Sequence, residues 1–148
     1  MIKAFLAIKY YEDMRNKELI ETIYSALKAQ NIETFIFAKN VQNYGPCKMS
    51  GNEVMNLAFN TIKSSDIFII DASELSIGIG VEAGVAYSNG IPIYLIANKN
   101  SYVSESIKGI SKKVFLYNNP EEIKNHFSTY LQELRESPKA DGAERIYT

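Results

Sequence analysis

The chain of 148 residues has no tryptophan, one histidine, one cysteine and almost no net charge. Each scarcity removes a class of function. The single cysteine, Cys47, excludes an internal disulfide and any cysteine-clustered metal site, and it fits a reducing, cytoplasmic setting. As a nucleophile Cys47 needs a basic partner, yet the one histidine, His126, falls in a distant helical segment, where it borders an apolar stripe and reads as a rim residue. No second histidine or acid cluster completes a metal site around it. Lys and Arg number 16 against 17 Asp and Glu, a formal charge of -1, without the basic footprint that nucleic acid or an anionic membrane surface attracts. The longest apolar runs are of strand length, well short of the roughly 20 residues a membrane span needs. The opening stretch from Met1 to Ile8 has a short apolar part and no small-residue cleavage site, so it reads as a first strand rather than a signal peptide.

What is present is an alternation of short β-rich runs with longer helical patterns, the signature of βαβ units around a parallel sheet. Strands are expected at 2–8, 33–37, 67–70, 93–97 and 113–117. Helices are expected at 16–30, 52–63, 80–88, 103–110 and from Pro120 onward, where Ile123, Phe127, Tyr130, Leu131 and Leu134 form one stripe. The run 67–70 is apolar on both faces and should be a central strand. Residues 38–51 contain Tyr44-Gly45-Pro46 and no clear period, which predicts a long loop of the kind that covers a site. The expectation is a single α/β domain over residues 1–136, Rossmann- or flavodoxin-like, with a five-stranded parallel sheet and helices on both faces. Residues 137–148 read as a polar tail. No internal repeat is visible.

The stretch from Ser64 to Gly84 is the most informative. A strand-length apolar run ends in Asp71 and a polar loop, then glycines lead into a small-residue helix carrying Glu82. In an open parallel sheet, ligands sit beyond the carboxyl ends of the strands, where glycines let amides and a helix N-terminus approach phosphate or sugar oxygens. Glu82 stands among Ile77, Ile79, Val81, Ala83, Val85 and Ala86, so it either complements the helix dipole from the first turn or does chemistry. Asp71 is a candidate second carboxylate; its structural alternative is turn chemistry with Ser73.

The pattern Ser76-x-Gly78-x-Gly80-x-Glu82-x-Gly84, followed by Ala86 and by Gly90-x-Pro92 opening the next strand, resembles the nucleoside 2-deoxyribosyltransferase superfamily, which includes 2'-deoxynucleoside 5'-phosphate N-hydrolases. The resemblance implies parallel strands in flavodoxin-like order and a homodimer or higher homo-oligomer with sites near the subunit interface. It implies cleavage or transfer of the N-glycosidic bond of a nucleoside or nucleoside 5'-monophosphate, with Glu82 attacking the anomeric carbon. A carboxylate suits a transition state resembling an oxocarbenium ion, because the anion stabilises the positive charge and then forms a glycosyl ester. Ser76 matches the position that contacts the 5'-phosphate in the hydrolase branch, and Gly78 and Gly80 would keep side chains away from the sugar and offer their amides. No cofactor and no metal is expected.

The chain also departs from the family pattern. An aspartate usual in the helix before the third strand is matched here by Ala58, flanked by Asn56 and Asn60, of which Asn56 is a candidate ribose ligand. The family's phosphate loop after the first strand is replaced by Ile8-Lys9-Tyr10-Tyr11-Glu12-Asp13. Lys9 and Arg15 are candidates to hold a phosphate, Tyr10 or Tyr11 to stack on a base, and Asn98, closing the fourth strand, to bind substrate. Two alternatives follow: a nucleotide-binding or signalling module that kept the fold and lost the chemistry, and a Toll/interleukin-1 receptor-like NAD glycohydrolase, suggested by the acidic Tyr-rich first loop.

Overall fold

The computed structural model describes residues 1–136; the expected tail at 137–148 lies outside the described residues. The elements run β1 (Ile2–Ala7), α1 (Lys17–Ala29), β2 (Ile32–Phe35), α2 (Phe37–Asn40), α3 (Gly51–Lys63), β3 (Ile67–Asp71), α4 (Ile77–Ser88), β4 (Ile93–Asn98), α5 (Glu105–Ile110), β5 (Lys113–Tyr117) and α6 (Glu122–Glu136). The five strands form one sheet in the order β2-β1-β3-β4-β5, and every pairing is parallel. The expected fold class is therefore the one observed.

Parallel neighbours require crossovers, and the crossover helices cover both faces of the sheet. The pleat sends alternate residues to opposite sides. Leu6, Ile69 and Ile96 pack on one side with α1 and α6, while Ala7, Ile70 and Leu95 pack on the other with α3, α4 and α5. All five residues of β3 are buried, which is why its sequence is apolar throughout. The chain leaves β1 toward β2, returns across β1 to β3, and continues outward, so the strand order reverses between β1 and β3. At such a switch point the loops after two neighbouring strands diverge and leave a crevice.

Four local boundaries differ from expectation. The 38–51 loop opens with the single turn α2, because Asn40 Oδ1 accepts from the Ile36 amide at 2.8 Å and Lys39 bonds Glu21 at 2.6 Å. Helix α3 begins at Gly51, capped by Ser50, whose Oγ accepts from the Glu53 amide at 3.2 Å. Helix α6 begins at Glu122 rather than at Pro120. Helix α4 starts at Ile77, three residues before the expected 80, since Ser76 is its N-cap and accepts from the Ile79 amide at 3.4 Å. A serine three residues ahead of a bonded amide is ordinary N-cap chemistry, and the glycines hid it.

Candidate active site

The earlier start of α4 changes the place of every motif residue. Glu82 lies in the second turn, and the first turn contains no acid, so stabilisation of the helix dipole does not account for it. With about 100° between successive residues, Gly78 and Glu82 share one flank of the helix, roughly 40° apart. Ile79, Ala83 and Ala86 beside them are buried against the sheet. Gly80 lies about 200° from Glu82 by the same rule, and its amide bonds the Ser76 carbonyl at 3.3 Å. The expectation that Gly80 offers its amide beside Glu82 is thus corrected: a reading that treats the segment as loop misses that alternate helix residues face opposite ways.

Glu82 is half-buried, and its carboxyl has no hydrogen-bond or ion-pair partner among the described residues. Burial alone raises its pKa from the ordinary 4.5 to about 7. No neighbouring charge contributes, so it forms no coupled pair with Asp71. An unpaired acid held partly out of water near neutrality is the kind of group found at reactive centres.

Asp71 ends β3 with 2% of its surface exposed. One oxygen accepts from the Ser73 amide at 2.9 Å and the other from the Tyr117 hydroxyl at 3.1 Å. Burial raises its pKa, and the bonds from Ser73 and Tyr117 oppose that shift. The Ser73 hydroxyl lies 3.2 Å from the Tyr117 hydroxyl and accepts from the Asn98 amide at 2.8 Å. Asp71, Ser73, Asn98 and Tyr117 therefore knot the carboxyl ends of β3, β4 and β5 together. In this arrangement Asp71 is a scaffold, since both its oxygens are engaged inside the fold. Asn98 also belongs to the knot: its Oδ1 receives the Asn100 amide at 2.9 Å, which turns the chain into the next loop.

The loops after β1 and β3 meet at the switch point. Lys9 Nζ lies 2.5 Å from Glu74 Oε1, and the Tyr11 hydroxyl donates to Glu74 Oε2. Burial and Glu74 raise the Tyr11 pKa to about 12, while Lys9 and Tyr11 hold Glu74 below its usual value. Arg15 stands over the Tyr11 ring, 4.6 Å from its centroid, and pairs with Asp13 at 3.1 Å. Tyr11 and Glu74, which the sequence did not mark as a pair, thus join Lys9, while Tyr10 beside them is exposed. A second cluster ties the loop after β2 to α1: Glu21 accepts from Lys39 at 2.6 Å and from the Tyr44 hydroxyl.

Helix α3 brings none of its candidates to this edge. Asn56 is exposed and donates to Asn52 at 2.7 Å, about 160° around the helix from Ala58; it faces solvent, which corrects the expectation of a ribose contact. Ala58 is 0% exposed within the apolar cluster, so an aspartate there would be buried among hydrocarbon. His126 stacks on Phe115 with ring centroids 3.9 Å apart, and Cys47 is exposed. Among the described residues no group of three or more His, Cys, Asp or Glu gathers as a metal site, and no helix is long and apolar enough to cross a membrane. A hollow of about 540 Å³, lined by Met1, Ile2, Ala29, Gln30, Asn31 and Arg135, contains none of the expected site residues.

No protein-family model matches the chain, and no curated protein does. Solved structures match it along most of its length. A CMP N-glycosidase from Clostridium botulinum, BcmB, is 24% identical, with a TM-score of 0.66 over 86% of this chain and 98% of its own. A 2-deoxyribosyltransferase from Bacillus psychrosaccharolyticus is 19% identical, with a TM-score of 0.67 over 86% and 94%. The solution structure of BlsM is 17% identical, with a TM-score of 0.71 over 94% and 96%. At these identities the likeness speaks for the fold, and the fold of this chain is that of the nucleoside 2-deoxyribosyltransferase superfamily.

Proposed function

We propose that the chain cleaves or transfers the N-glycosidic bond of a nucleoside or nucleoside 5'-monophosphate, with Glu82 as the nucleophile. The observation that carries this reading is the Glu82 carboxyl, half-buried and unpartnered on the first helix after the central strand. In the ionised state its oxygen bonds to C1', the C1'–N bond breaks, and the base departs with the electron pair and takes a proton from solvent. Water or a second base then opens the glycosyl ester. Ser76 and Gly78 stand at the start of the same helix, where the amides of Ile77 and Gly78 have no partner within the helix. They suit the oxygens of a sugar or phosphate. Asp71 acts as a positioning residue through Ser73 and Tyr117. The acid after the central strand and the fold shared with an N-glycosidase and a deoxyribosyltransferase support this reading over a silent binding module.

The same helix supports a homodimer. Ile77 is 89% exposed and Val81 45%, and Gly80 and Gly84 lie on their side of α4 with open space where a Cβ would stand. Neither glycine serves packing within the chain, although each costs about 1 kcal/mol of helix stability relative to alanine. A second copy seated against this face gives those glycines a purpose.

The test is base release from a panel of ribo- and deoxyribonucleosides and their 5'-monophosphates, followed by liquid chromatography. Wild type should release base from at least one member, and Glu82→Gln should lose several orders of magnitude, as nucleophile variants do. Binding without turnover on the whole panel would instead favour the non-catalytic module, for which the buried Ala58 in place of an acid is the motivating observation.

A further inference from the structure

The ion pair between the first and third loops has no role in the chemistry above, yet it occupies the switch point where a ligand belongs. Lys9 and Tyr11 approach from the β1 side, each on a different oxygen of Glu74. Two donors converging on a carboxylate, one of them cationic, make an anion seat. The anion in it comes from the protein's own chain, 65 residues from Lys9. Glu74 is exposed and its carboxylate has no other hydrogen-bond partner among the described residues, so the fold does not depend on it.

We propose that Glu74 is a placeholder that sets the preference of the site for phosphorylated substrates: its carboxylate fills the seat in the free protein, and the phosphate of a nucleoside 5'-monophosphate displaces it. The substrate class rests on the function proposed above; the exchange itself rests on the clasp. A neutral nucleoside cannot make the exchange, because parting Glu74 from Lys9 leaves a cation that only another anion compensates. A phosphate monoester carries up to two negative charges and three acceptor oxygens, one charge more than the group it replaces. An exposed ion pair is worth at most a factor of about five in equilibrium terms, so a dianion that also reaches the unpartnered amides of Ile77 and Gly78 outcompetes it. Between visits the carboxylate keeps Lys9 and Tyr11 facing each other and excludes weaker anions.

Calorimetric titration of the full chain tests this without any need for turnover, using inorganic phosphate, deoxycytidine 5'-monophosphate and deoxycytidine as probes. Removing the competing charge in Glu74→Gln should tighten both phosphate probes about fivefold and leave deoxycytidine unchanged. Lys9→Met should weaken both phosphate probes about tenfold or more, again without effect on deoxycytidine. Tightening of inorganic phosphate alone would assign the seat to free phosphate and overturn the substrate claim. Unchanged or weaker phosphate binding in Glu74→Gln, or an equal effect on deoxycytidine, would overturn the placeholder. The two readings fail separately: phosphate tightening with no base release on any panel member would sink the glycosidase and spare the exchange, and base release with an indifferent Glu74→Gln would do the reverse.

Discussion

If Glu82 is kept half-buried and unpaired for chemistry, it should burden the fold, and the burden should follow a predictable pH curve. The folded protein holds the Glu82 proton to about pH 7, whereas a carboxyl in its ordinary surroundings releases it near 4.5. Between those values the folded state binds more protons than the unfolded chain, so this residue's contribution to stability falls as pH rises through the window. At about 1.4 kcal/mol per pH unit, the cost reaches about 3 kcal/mol at pH 8 and stays below about 1 kcal/mol at pH 5. Glu82→Gln keeps the shape and discards the charge. The variant should therefore be more stable than wild type by about 2–3 kcal/mol at pH 8 and by little at pH 5, in urea denaturation followed by circular dichroism at one protein concentration. The gain should accompany the loss of base release, and in the wild type kcat should rise with pH toward a plateau above about 7. A variant no more stable than wild type at pH 8, or a gain independent of pH, would refute the claim that an unpaired buried charge sits at position 82.

Three further outcomes follow from the geometry. Tyr117→Phe removes the hydroxyl that faces both Asp71 and Ser73, and denaturant midpoints should report a loss of about 1–3 kcal/mol, the cost of a buried acceptor left short of a donor; an unchanged midpoint would mean the knot at the strand ends is not formed. Ala58→Asp, an attempt to restore the family's acid, places a carboxyl in an apolar cluster and should cost several kcal/mol at pH 7 by the same measurement. Gly80→Ala with Gly84→Ala should improve the isolated helix by up to about 1 kcal/mol per site yet weaken self-association in analytical ultracentrifugation, and unaltered association would remove α4 from the dimer interface.

Much of the fold was legible because its determinants are local. The apolar run at 67–70 identified the central strand, and the stripes ending in Ile62 and Leu131 identified helices that do pack on the sheet. Boundaries failed where two local signals competed. Ser76 reads as the cap of a helix and Gly78 and Gly80 as a loop, and capping prevailed because neither glycine has positive φ. In the candidate site, Glu82 stood out as an acid in an apolar setting, whereas Asp71 left two roles open until the bonds from Ser73 and Tyr117 filled both oxygens. Glu74 gave no signal at all, since its partners lie 65 and 63 positions away and any exposed glutamate looks alike in sequence.

The glycines of α4 give this segment a further use. A helix of 12 residues with three glycines opens easily when nothing leans on its outer side, so its amide protons should trade with solvent faster than those of the helices on the opposite face. Seating a neighbour or a ligand there would slow that trade. The deuterium uptake of one short peptide spanning positions 77–88 would then serve as a built-in gauge of occupancy, readable with no label, no coupled enzyme and no knowledge of which base is released.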